Sequence, residues 1–162
     1  MDKSKINLLI VDDEEQFLKS ISRSLEMRDF NVIAVNRGDK ALEVAREHPI
    51  DIALVDLKMP GMDGQETLEA LKKQHPWMEI VILTGHGTID SAAACTRSGA
   101  FSYLQKPCEF DRLLDTLIRA FKQRVMNKKH IEGKKMDAML RLSMSLSPRE
   151  ILSKLKEIDQ AE

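Results

Sequence analysis

The chain has 162 residues, 43% hydrophobic and 31% charged, with a formal net charge of −1, and these proportions indicate a soluble globular protein of one domain with some residues left over. They exclude a membrane-spanning protein, because no apolar run approaches the roughly 18–20 residues that cross a bilayer, and the N-terminal apolar segment is too short for a signal peptide. Two isolated cysteines exclude a disulfide framework and a paired-cysteine zinc site, so we expect a cytoplasmic protein.

Five short apolar runs with strand character recur along the chain. The first, third and fourth are continuously apolar rather than alternating, which is typical of strands that are covered on both faces. We therefore predict five strands. They are Ile6–Val11, Asn31–Val35, Ile52–Val55, Ile80–Leu83 and Phe101–Leu104.

Segments with helical spacing lie between these runs. Phe17, Ile21 and Leu25 recur at every fourth residue and predict an amphipathic helix. Strand alternating with helix predicts an α/β fold with a parallel sheet, and right-handed crossovers make a doubly wound sheet the natural topology. Helix ends are predicted at the His-Pro pairs 48–49 and 75–76, and turns at Gly38, Gly64 and Gly99.

Polar side chains follow four of the predicted strands. In an open α/β sheet the ligand site lies beyond the carboxyl ends of the strands. Since these ends share one rim, the polar side chains that follow them are expected to converge. They are Asp12 and Asp13 after the first run, Asp56 after the third, Thr84 after the fourth, and Lys106 shortly after the fifth.

Clustered carboxylates at this rim indicate a site for a divalent cation. Carboxylates repel one another and raise one another's pKa unless a cation lies among them. Mg²⁺ takes one or two carboxylates and keeps several waters, so Asp13, Asp56 and a backbone carbonyl would suit it and leave room for phosphoryl oxygens. Asp56 would then attack phosphorus to give an aspartyl phosphate. Lys106 would neutralise charge on the transferring group, and Thr84 would donate a hydrogen bond.

Four separated segments share a family pattern: "LLIVDDEE", "ALVDLKMPGMDG", "VILTGHG" and "SYLQKPCEFDRL". Their order and spacing, over roughly residues 5–125, resemble the receiver domain of two-component response regulators. The resemblance implies a flavodoxin-like, doubly wound, five-stranded parallel sheet of order 2-1-3-4-5. The segment "LTGHG" is more similar to receivers that precede ATPase-type transcription activators than to receivers of the chemotaxis type.

The resemblance implies a role for each acid of the rim. Asp56 is the implied phosphoacceptor, and Asp12 and Asp13 are the acidic pair that holds Mg²⁺. Lys58 is implied to add its backbone carbonyl as a further metal ligand. The implied phosphoryl donor is a histidine kinase or a phosphotransfer protein. We therefore expect a phosphoacceptor signalling domain that assists its own phosphorylation and dephosphorylation, and not an enzyme.

The resemblance also implies a conformational switch. Lys106 is the implied phosphate-binding lysine, and Thr84 and Tyr103 are the implied switch pair. The peptide bond between Lys106 and Pro107 is expected to be cis, a minority form of X–Pro bonds. Phosphorylation adds about −1.5 to −2 charges at neutral pH, so Thr84 is expected to move toward the phosphoryl group while Tyr103 turns inward. This would alter the face formed by the last two helices and the fifth strand.

The sequence leaves other interpretations of single residues open. The acids after the first run could cap a helix and complement its dipole. Thr84 could cap the helix that follows it, and Tyr103 could be a core residue. Asp63 is interpreted as a turn residue rather than a metal ligand. His86 is interpreted as a solvated loop residue rather than a ligand or a general base.

Charge is distributed unevenly along the chain. Residues 1–118 hold 14 Lys or Arg and 20 Asp or Glu, whereas residues 119–135 hold 7 basic residues and 1 acidic residue. We predict a receiver domain at 1–125, followed at 126–162 by a basic linker and an amphipathic helical tail, with Gly133 ending the last helix of the receiver. Basic runs can contact nucleic acid phosphates, but this run lacks aromatic residues, which favours a solvated helix or linker.

The segment "SPREILSKLKEI" predicts a further helix in the tail. Ser147 is the predicted N-cap, Pro148 occupies the first helical position, and Glu150 completes a capping box. The tail is rich in apolar residues, so we expect it to pack on the receiver or on a second copy, giving a homodimer through the last helices or the tail. Its apolar residues include Met144, Leu146, Ile151, Leu152, Leu155 and Ile158.

Three functions are compared on this basis. The favoured one is a receiver that is phosphorylated on Asp56 and signals by contacts with a downstream protein. The second is a DNA-binding transcription regulator, either cut short after its receiver or acting through its basic tail. The third is a hydrolase of the aspartyl-phosphate type. It is disfavoured because such a hydrolase typically has its nucleophile and a general acid two residues apart on the first strand, in a D-x-D pattern, where this chain has "VDDEE".

Overall fold

The computed structural model describes residues 4–143, 147–150, 152–153 and 156. The chain divides into two compact units, Met1–Arg124 and Val125–Glu162. Within the described ranges, no helix is both long enough and apolar enough to cross a membrane.

Five parallel strands form one sheet in the order β2-β1-β3-β4-β5, which confirms the predicted flavodoxin-like, doubly wound topology. Strands and helices alternate along the chain. The strands are β1 (Ile6–Val11), β2 (Phe30–Val35), β3 (Ile52–Val55), β4 (Glu79–Thr84) and β5 (Ser102–Gln105). The helices are α1 (Glu15–Glu26), α2 (Gly38–Glu47), α3 (Gly64–Gln74), α4 (Ile89–Arg97) and α5 (Phe110–Ser143).

The three continuously apolar runs occupy the middle of the sheet, as β1, β3 and β4. Every residue of β3 and β4 is buried. Successive residues of a strand point to opposite faces, so β1 contributes to two cores. Leu9 and Val11 pack with buried residues of α2 and α3, whereas Leu8 and Ile10 pack with buried residues of α1 and α5. Helices on both faces explain why these runs contain no polar alternation.

Two of the predicted glycine turns are wrong. Gly38 and Gly64 are the first residues of α2 and α3. A side chain at Gly64 would overlap the backbone of Asp56 and Leu57, because α3 begins directly against the end of β3. Gly99 does lie in a turn, with a φ of 97° that glycine adopts without strain. At Gly64 the glycine is therefore needed for close approach and not for a turn.

The helix end predicted at Gly133 is also wrong, since α5 continues to Ser143. A side chain at Gly133 would meet no atom within 4 Å, so packing does not require glycine there. Glycine inside a helix costs only about 1 kcal/mol relative to alanine, and the strong helix formers Glu132 and Lys134 flank it. The single glycine is therefore too weak a signal to stop the helix.

The predicted capping box is present in the second unit. The amide of Ser147 donates to a carboxylate oxygen of Glu150 at 2.8 Å, and the amide of Glu150 donates to the hydroxyl of Ser147 at 3.4 Å. Leu152 is 61% exposed. The other predicted tail positions, Met144, Leu146, Ile151, Leu155 and Ile158, lie outside the described residues.

Candidate functional site

The backbone ladder of the sheet continues past the ends of β1 and β3 and places two acids on one rim. Val11 pairs with Val55 in the parallel register. The amide of Asp12 donates to the carbonyl of Val35 at 3.1 Å, and the amide of Asp56 donates to the carbonyl of Val11 at 2.9 Å. Asp12 and Asp56 are therefore held by the sheet itself rather than by a loop.

Asp12, Asp13 and Asp56 form one carboxylate cluster. One carboxylate oxygen from each residue lies within 4.8 Å of the other two. Asp12 is 2% exposed and Asp56 is 3% exposed, whereas Asp13 is exposed. Like charges at such short range disfavour one another's ionisation. The cluster therefore needs positive charge nearby.

An unpaired oxygen of Asp56 shows that the cluster fits a metal ion. Its Oδ1 is buried and has no hydrogen-bond partner in the described part of the chain. Leaving a buried acceptor unpaired costs about 1–3 kcal/mol, and a divalent cation among the carboxylates would offset both this cost and their repulsion. Oxygen ligands of this kind suit Mg²⁺. Asp12, Asp13 and Asp56 are the side chains that would hold it.

The loop between β3 and α3 holds two further residues of interest. Lys58 follows Asp56 by two positions, and its side chain is exposed. The role of its carbonyl as a metal ligand stays a prediction. Asp63 is the N-cap of α3, where its Oδ1 accepts a hydrogen bond from the amide of Glu66 at 2.9 Å. The carboxylate of Asp63 therefore serves the start of a helix, and it is not a member of the cluster.

Lys106 brings a positive charge to the rim. Its Nζ lies 2.6 Å from Oδ2 of Asp12 and 3.4 Å from Oε1 of Glu14. The same Nζ lies 4.1 Å from the centroid of the Phe17 ring. The amide of Lys106 donates to the carbonyl of Thr84 at 2.8 Å, which ties the lysine to the end of β4. The contacts of Glu14 and Phe17 with Lys106 were not predicted. In the sequence, Phe17 resembles any other apolar residue of a helix stripe.

Burial and nearby opposite charge shift the pKa of Asp12, and likewise that of Lys106, in opposite directions. Burial raises the pKa of Asp12, and the hydrogen bonds from Lys106 and the Glu14 amide reduce this rise without cancelling it. Burial lowers the pKa of Lys106, but its hydrogen bond to Asp12 and the charges of Asp12, Asp56 and Glu14 outweigh burial, so the pKa of Lys106 is raised. Lys106 is therefore positively charged at neutral pH.

The family model of the response regulator receiver domain matches residues 8–118, a segment that includes every residue of the carboxylate cluster and Lys106. The chain belongs to this family. The resemblance inferred from the four motifs is thereby confirmed.

This receiver is similar to regulators of greater length. It is 35% identical over 133 residues to a putative NtrX-like response regulator of Rickettsia bellii, covering 81% of this chain and 28% of that protein. It is 34% identical over 123 residues to the transcriptional regulatory protein GlrR of Escherichia coli, covering 76% of this chain and 28% of that protein. The predicted likeness to receivers of the ATPase-activator type is confirmed. The chain spans less than a third of the length of these relatives.

A solved structure agrees over the whole receiver. The CheY-like receiver domain protein of Methanospirillum hungatei matches with a TM-score of 0.74 at 27% identity, covering 76% of this chain and 99% of that one. The fold of the first unit is therefore that of a receiver domain.

Thr84 ends β4 of this receiver and is fully buried. Its Oγ1 accepts a hydrogen bond from the amide of His86 at 3.1 Å. The residue that caps α4 is Thr88, so the alternative in which Thr84 caps that helix is wrong. His86 is exposed, in agreement with its interpretation as a solvated loop residue. The N-cap residue of α1 is Glu14, and its side chain makes no capping hydrogen bond.

Tyr103 lies on β5 and is half-buried against the core under α2 and α3. Its hydroxyl lies 3.0 Å from Oγ of Ser91, which also closes the capping box of α4 with Thr88. A side chain at Gly87 would overlap the tyrosine hydroxyl, so the ring lies against the loop between β4 and α4. The sequence did not predict the Ser91 contact. The peptide bond between Lys106 and Pro107 is cis, the isomer that the resemblance implied.

Proposed function

We propose that this receiver accepts a phosphoryl group on Asp56 from a histidine kinase or a phosphotransfer protein, with Mg²⁺ at the carboxylate cluster. Receiver domains interact with such donors, and their acidic pockets generally bind Mg²⁺. The observation that carries the proposal is that Asp56 lies against Asp12 and Asp13, and that Asp12 contacts Lys106. A nucleophile, metal ligands and a fixed cation thus lie in one place.

Asp56 is the proposed nucleophile. One oxygen of its carboxylate would attack phosphorus, and the other would remain for the metal ion. As the oxygen–phosphorus bond forms, the phosphorus–nitrogen bond to the donor histidine breaks, and the imidazole takes up a proton. A Mg²⁺ ion held by Asp12, Asp13 and Asp56 would supply positive charge to the transferring group. Lys106 adds a second positive charge, and phosphoryl transfer depends mainly on such positioning and electrostatic stabilisation.

The phosphoryl group is proposed to act as a signal on Asp56, so that the chain is a phosphoacceptor and not an enzyme. Phosphorylation adds about −1.5 to −2 charges at the rim. The hydroxyl of Thr84 would turn toward this charge, and Tyr103 would leave Ser91 and turn inward. The surface of α4, β5 and α5 would change as a result, and a downstream protein would bind the changed surface.

Intact mass spectrometry tests the phosphoacceptor. The full chain is incubated with Mg²⁺ and phosphoramidate, and we expect one added phosphoryl group. Asp56→Asn should remove the addition, whereas Asp63→Asn should keep it, because Asp63 is an acid of the same loop whose carboxylate caps α3. Wild-type protein that stays unmodified, or Asp56→Asn protein that is modified equally, would contradict the proposal.

A second candidate function is DNA binding as a transcription regulator. The name of the relative GlrR and the exposed basic residues of α5, Lys128, Lys129, Lys134 and Arg141, favour it. Contacts with DNA phosphates weaken steeply with salt. A gel-shift assay with the full chain and a salt titration tests it: a shift at low salt that Lys128→Gln with Lys129→Gln removes supports DNA binding, and an absence of any shift contradicts it.

A further inference from the structure

Among the described residues, three side chains contact the ammonium of Lys106, and one of these three lacks a charge. Nζ lies 2.6 Å from Asp12, 3.4 Å from Glu14 and 4.1 Å from the ring centroid of Phe17. The side chain of Lys106 is 15% exposed, so these contacts are partly shielded from water. A cation over an aromatic face in such surroundings is attracted by the ring quadrupole.

The two acidic partners are poorly suited to hold Lys106 during phosphoryl transfer. Asp12 belongs to the carboxylate cluster, so a metal ion would share its negative charge. The side chain of Glu14 is 60% exposed, and water and salt screen its attraction. The Phe17 ring neither ligates metal nor neutralises the lysine charge. It accepts no ordinary hydrogen bond either, so it leaves available for phosphoryl oxygens any N–H group of the ammonium that is not donated to Asp12 or Glu14.

The packing of α1 does not by itself require an aromatic residue at position 17. Phe17 begins the stripe that continues with Ile21, and both are partly buried hydrophobics at the edge of the core under α1 and α5. An aliphatic side chain such as leucine would serve this packing role. Packing therefore does not explain why residue 17 has an aromatic ring, and this ring lies against the ammonium of Lys106.

We propose that Phe17 is a positioning residue for phosphoryl transfer: its ring holds the Lys106 ammonium at the rim by a cation–π contact while Asp12 is engaged with metal. The inference rests on the proposed function of Asp56 and Lys106. It assigns to α1 a direct part in the site, in addition to the strand ends that the motifs identify.

A double-mutant cycle in the full chain tests this role. The rate of phosphorylation by phosphoramidate at saturating Mg²⁺ is measured for wild type, Phe17→Leu, Lys106→Met and the double variant. We expect Phe17→Leu to lower the rate about threefold to tenfold, as for a partly shielded cation–π contact. In the Lys106→Met background the same substitution should change nothing, since coupled residues give non-additive effects. Phe17→Tyr keeps a ring and should restore the rate.

A second measurement needs neither metal nor phosphodonor. In the wild-type protein, ring current should shift the NMR signals of the Lys106 Cε protons upfield; Phe17→Leu should abolish this shift and Phe17→Tyr should retain it. Ile21→Val is the matched control, because it loosens the same stripe of α1 one turn further along. It should leave both the Lys106 signals and the phosphorylation rate near the wild-type values.

The outcomes separate the two proposals. A wild-type chain that is phosphorylated, with Phe17→Leu at the same rate or equally slowed in the Lys106→Met background, overturns the positioning role and leaves the phosphoacceptor standing. A wild-type chain that takes up no phosphoryl group overturns both. Should Phe17→Leu fail to fold, the wild-type spectrum decides: Lys106 Cε signals at ordinary positions overturn the proposal.

Discussion

Asp13 is the exposed member of a cluster whose other two acids are buried. Lys106 contacts Asp12, and none of the ion pairs of the described residues includes Asp13. At the scale of single residues, the charge of Asp13 therefore adds repulsion when no metal is bound and attraction when Mg²⁺ is bound. Its effect on stability should change sign with the metal.

We predict that Asp13→Asn raises the free energy of unfolding by about 0.5–1 kcal/mol in EDTA, the scale of an exposed charge interaction. In Mg²⁺ at about 100 times its dissociation constant, the wild type should gain about 2.7 kcal/mol, and the variant should gain less. Urea unfolding in both buffers measures this. Glu43→Gln removes an exposed acid of α2 and should respond equally in both buffers. Identical responses of Asp13→Asn would contradict metal binding at the cluster.

His75 is a second residue whose charge state affects stability. Burial lowers its pKa from an ordinary 6.5, and its Nε2 is buried without a hydrogen-bond partner in the described structure. The unfolded chain then binds the proton more tightly than the folded chain does. Stability is therefore full above the unfolded pKa and is lost as pH falls from about 6.5 toward the lowered pKa of the folded state.

We predict that His75→Phe reduces this acid-dependent loss, because phenylalanine cannot be protonated and the ring contact with Trp77 is retained. Urea unfolding at pH 7.5, 6.5 and 5.5 measures the slope of stability against pH. His86→Phe is the control: His86 is exposed, so its substitution should leave the slope as in wild type. A wild-type slope in His75→Phe would show that other groups cause the loss.

At the scale of elements, β5 and α4 meet at Tyr103. The tyrosine hydroxyl and the capping box of α4 share Ser91, and the loop before α4 passes so close that Gly87 has no room for a side chain. The position of Tyr103 is thus coupled to the start of α4. A change in the loop that follows Thr84 would be transmitted to Tyr103 through these contacts.

We predict that Gly87→Ala displaces the Tyr103 ring, because the added methyl would overlap the tyrosine hydroxyl. The chain contains 1 tyrosine, so an isotope-labelled ring gives a single NMR signal set to follow. Gly85→Ala is the matched control in the same loop: its methyl would lie 3.9 Å from Cβ of Lys106, an ordinary contact. Unshifted tyrosine signals in Gly87→Ala would contradict the close approach.

At the scale of the whole molecule, the unit Met1–Arg124 contains both cores and all residues of the proposed site. Its last residue, Arg124, takes part in its stability: Nη2 lies 3.1 Å from Oδ1 of Asp51, with both side chains less than a fifth exposed. The distal half of α5 belongs to the second unit. The receiver should therefore keep its stability without that half but lose stability without Arg124.

We predict that a chain ending at Lys129 keeps its free energy of unfolding within about 0.5 kcal/mol of the full chain and takes up phosphoryl equally. A chain ending at Gln123 lacks Arg124 and leaves Asp51 buried without its charge partner. It should lose about 3 kcal/mol, the scale for a broken buried pair. Urea unfolding and intact mass measure both effects. Equal losses in the two truncations would mean that the distal part of α5 is required for the receiver fold.

The sequence predicted each strand to within one residue at either end. This was possible because β1, β3 and β4 are buried on both faces, and their continuous apolar runs leave one interpretation. Glycines were less informative. Gly99 has a positive φ, which is a local property, whereas Gly64 is required by a neighbouring backbone that is invisible in a local pattern. Gly133 has neither a positive φ nor a neighbouring atom that would exclude a side chain.

By itself, the sequence determined the layered sheet and the convergence of Asp12, Asp56 and Lys106, because parallel strands bring the residues at their carboxyl ends to one rim whatever their separation along the chain. Only the tertiary structure decided which side chains contact one another there. Phe17 against Lys106 and Ser91 against Tyr103 depend on the rotation and depth of α1 and α4 on the sheet. The packing of whole elements against one another sets this rotation and depth. The periodicity within one helix or strand does not predict them.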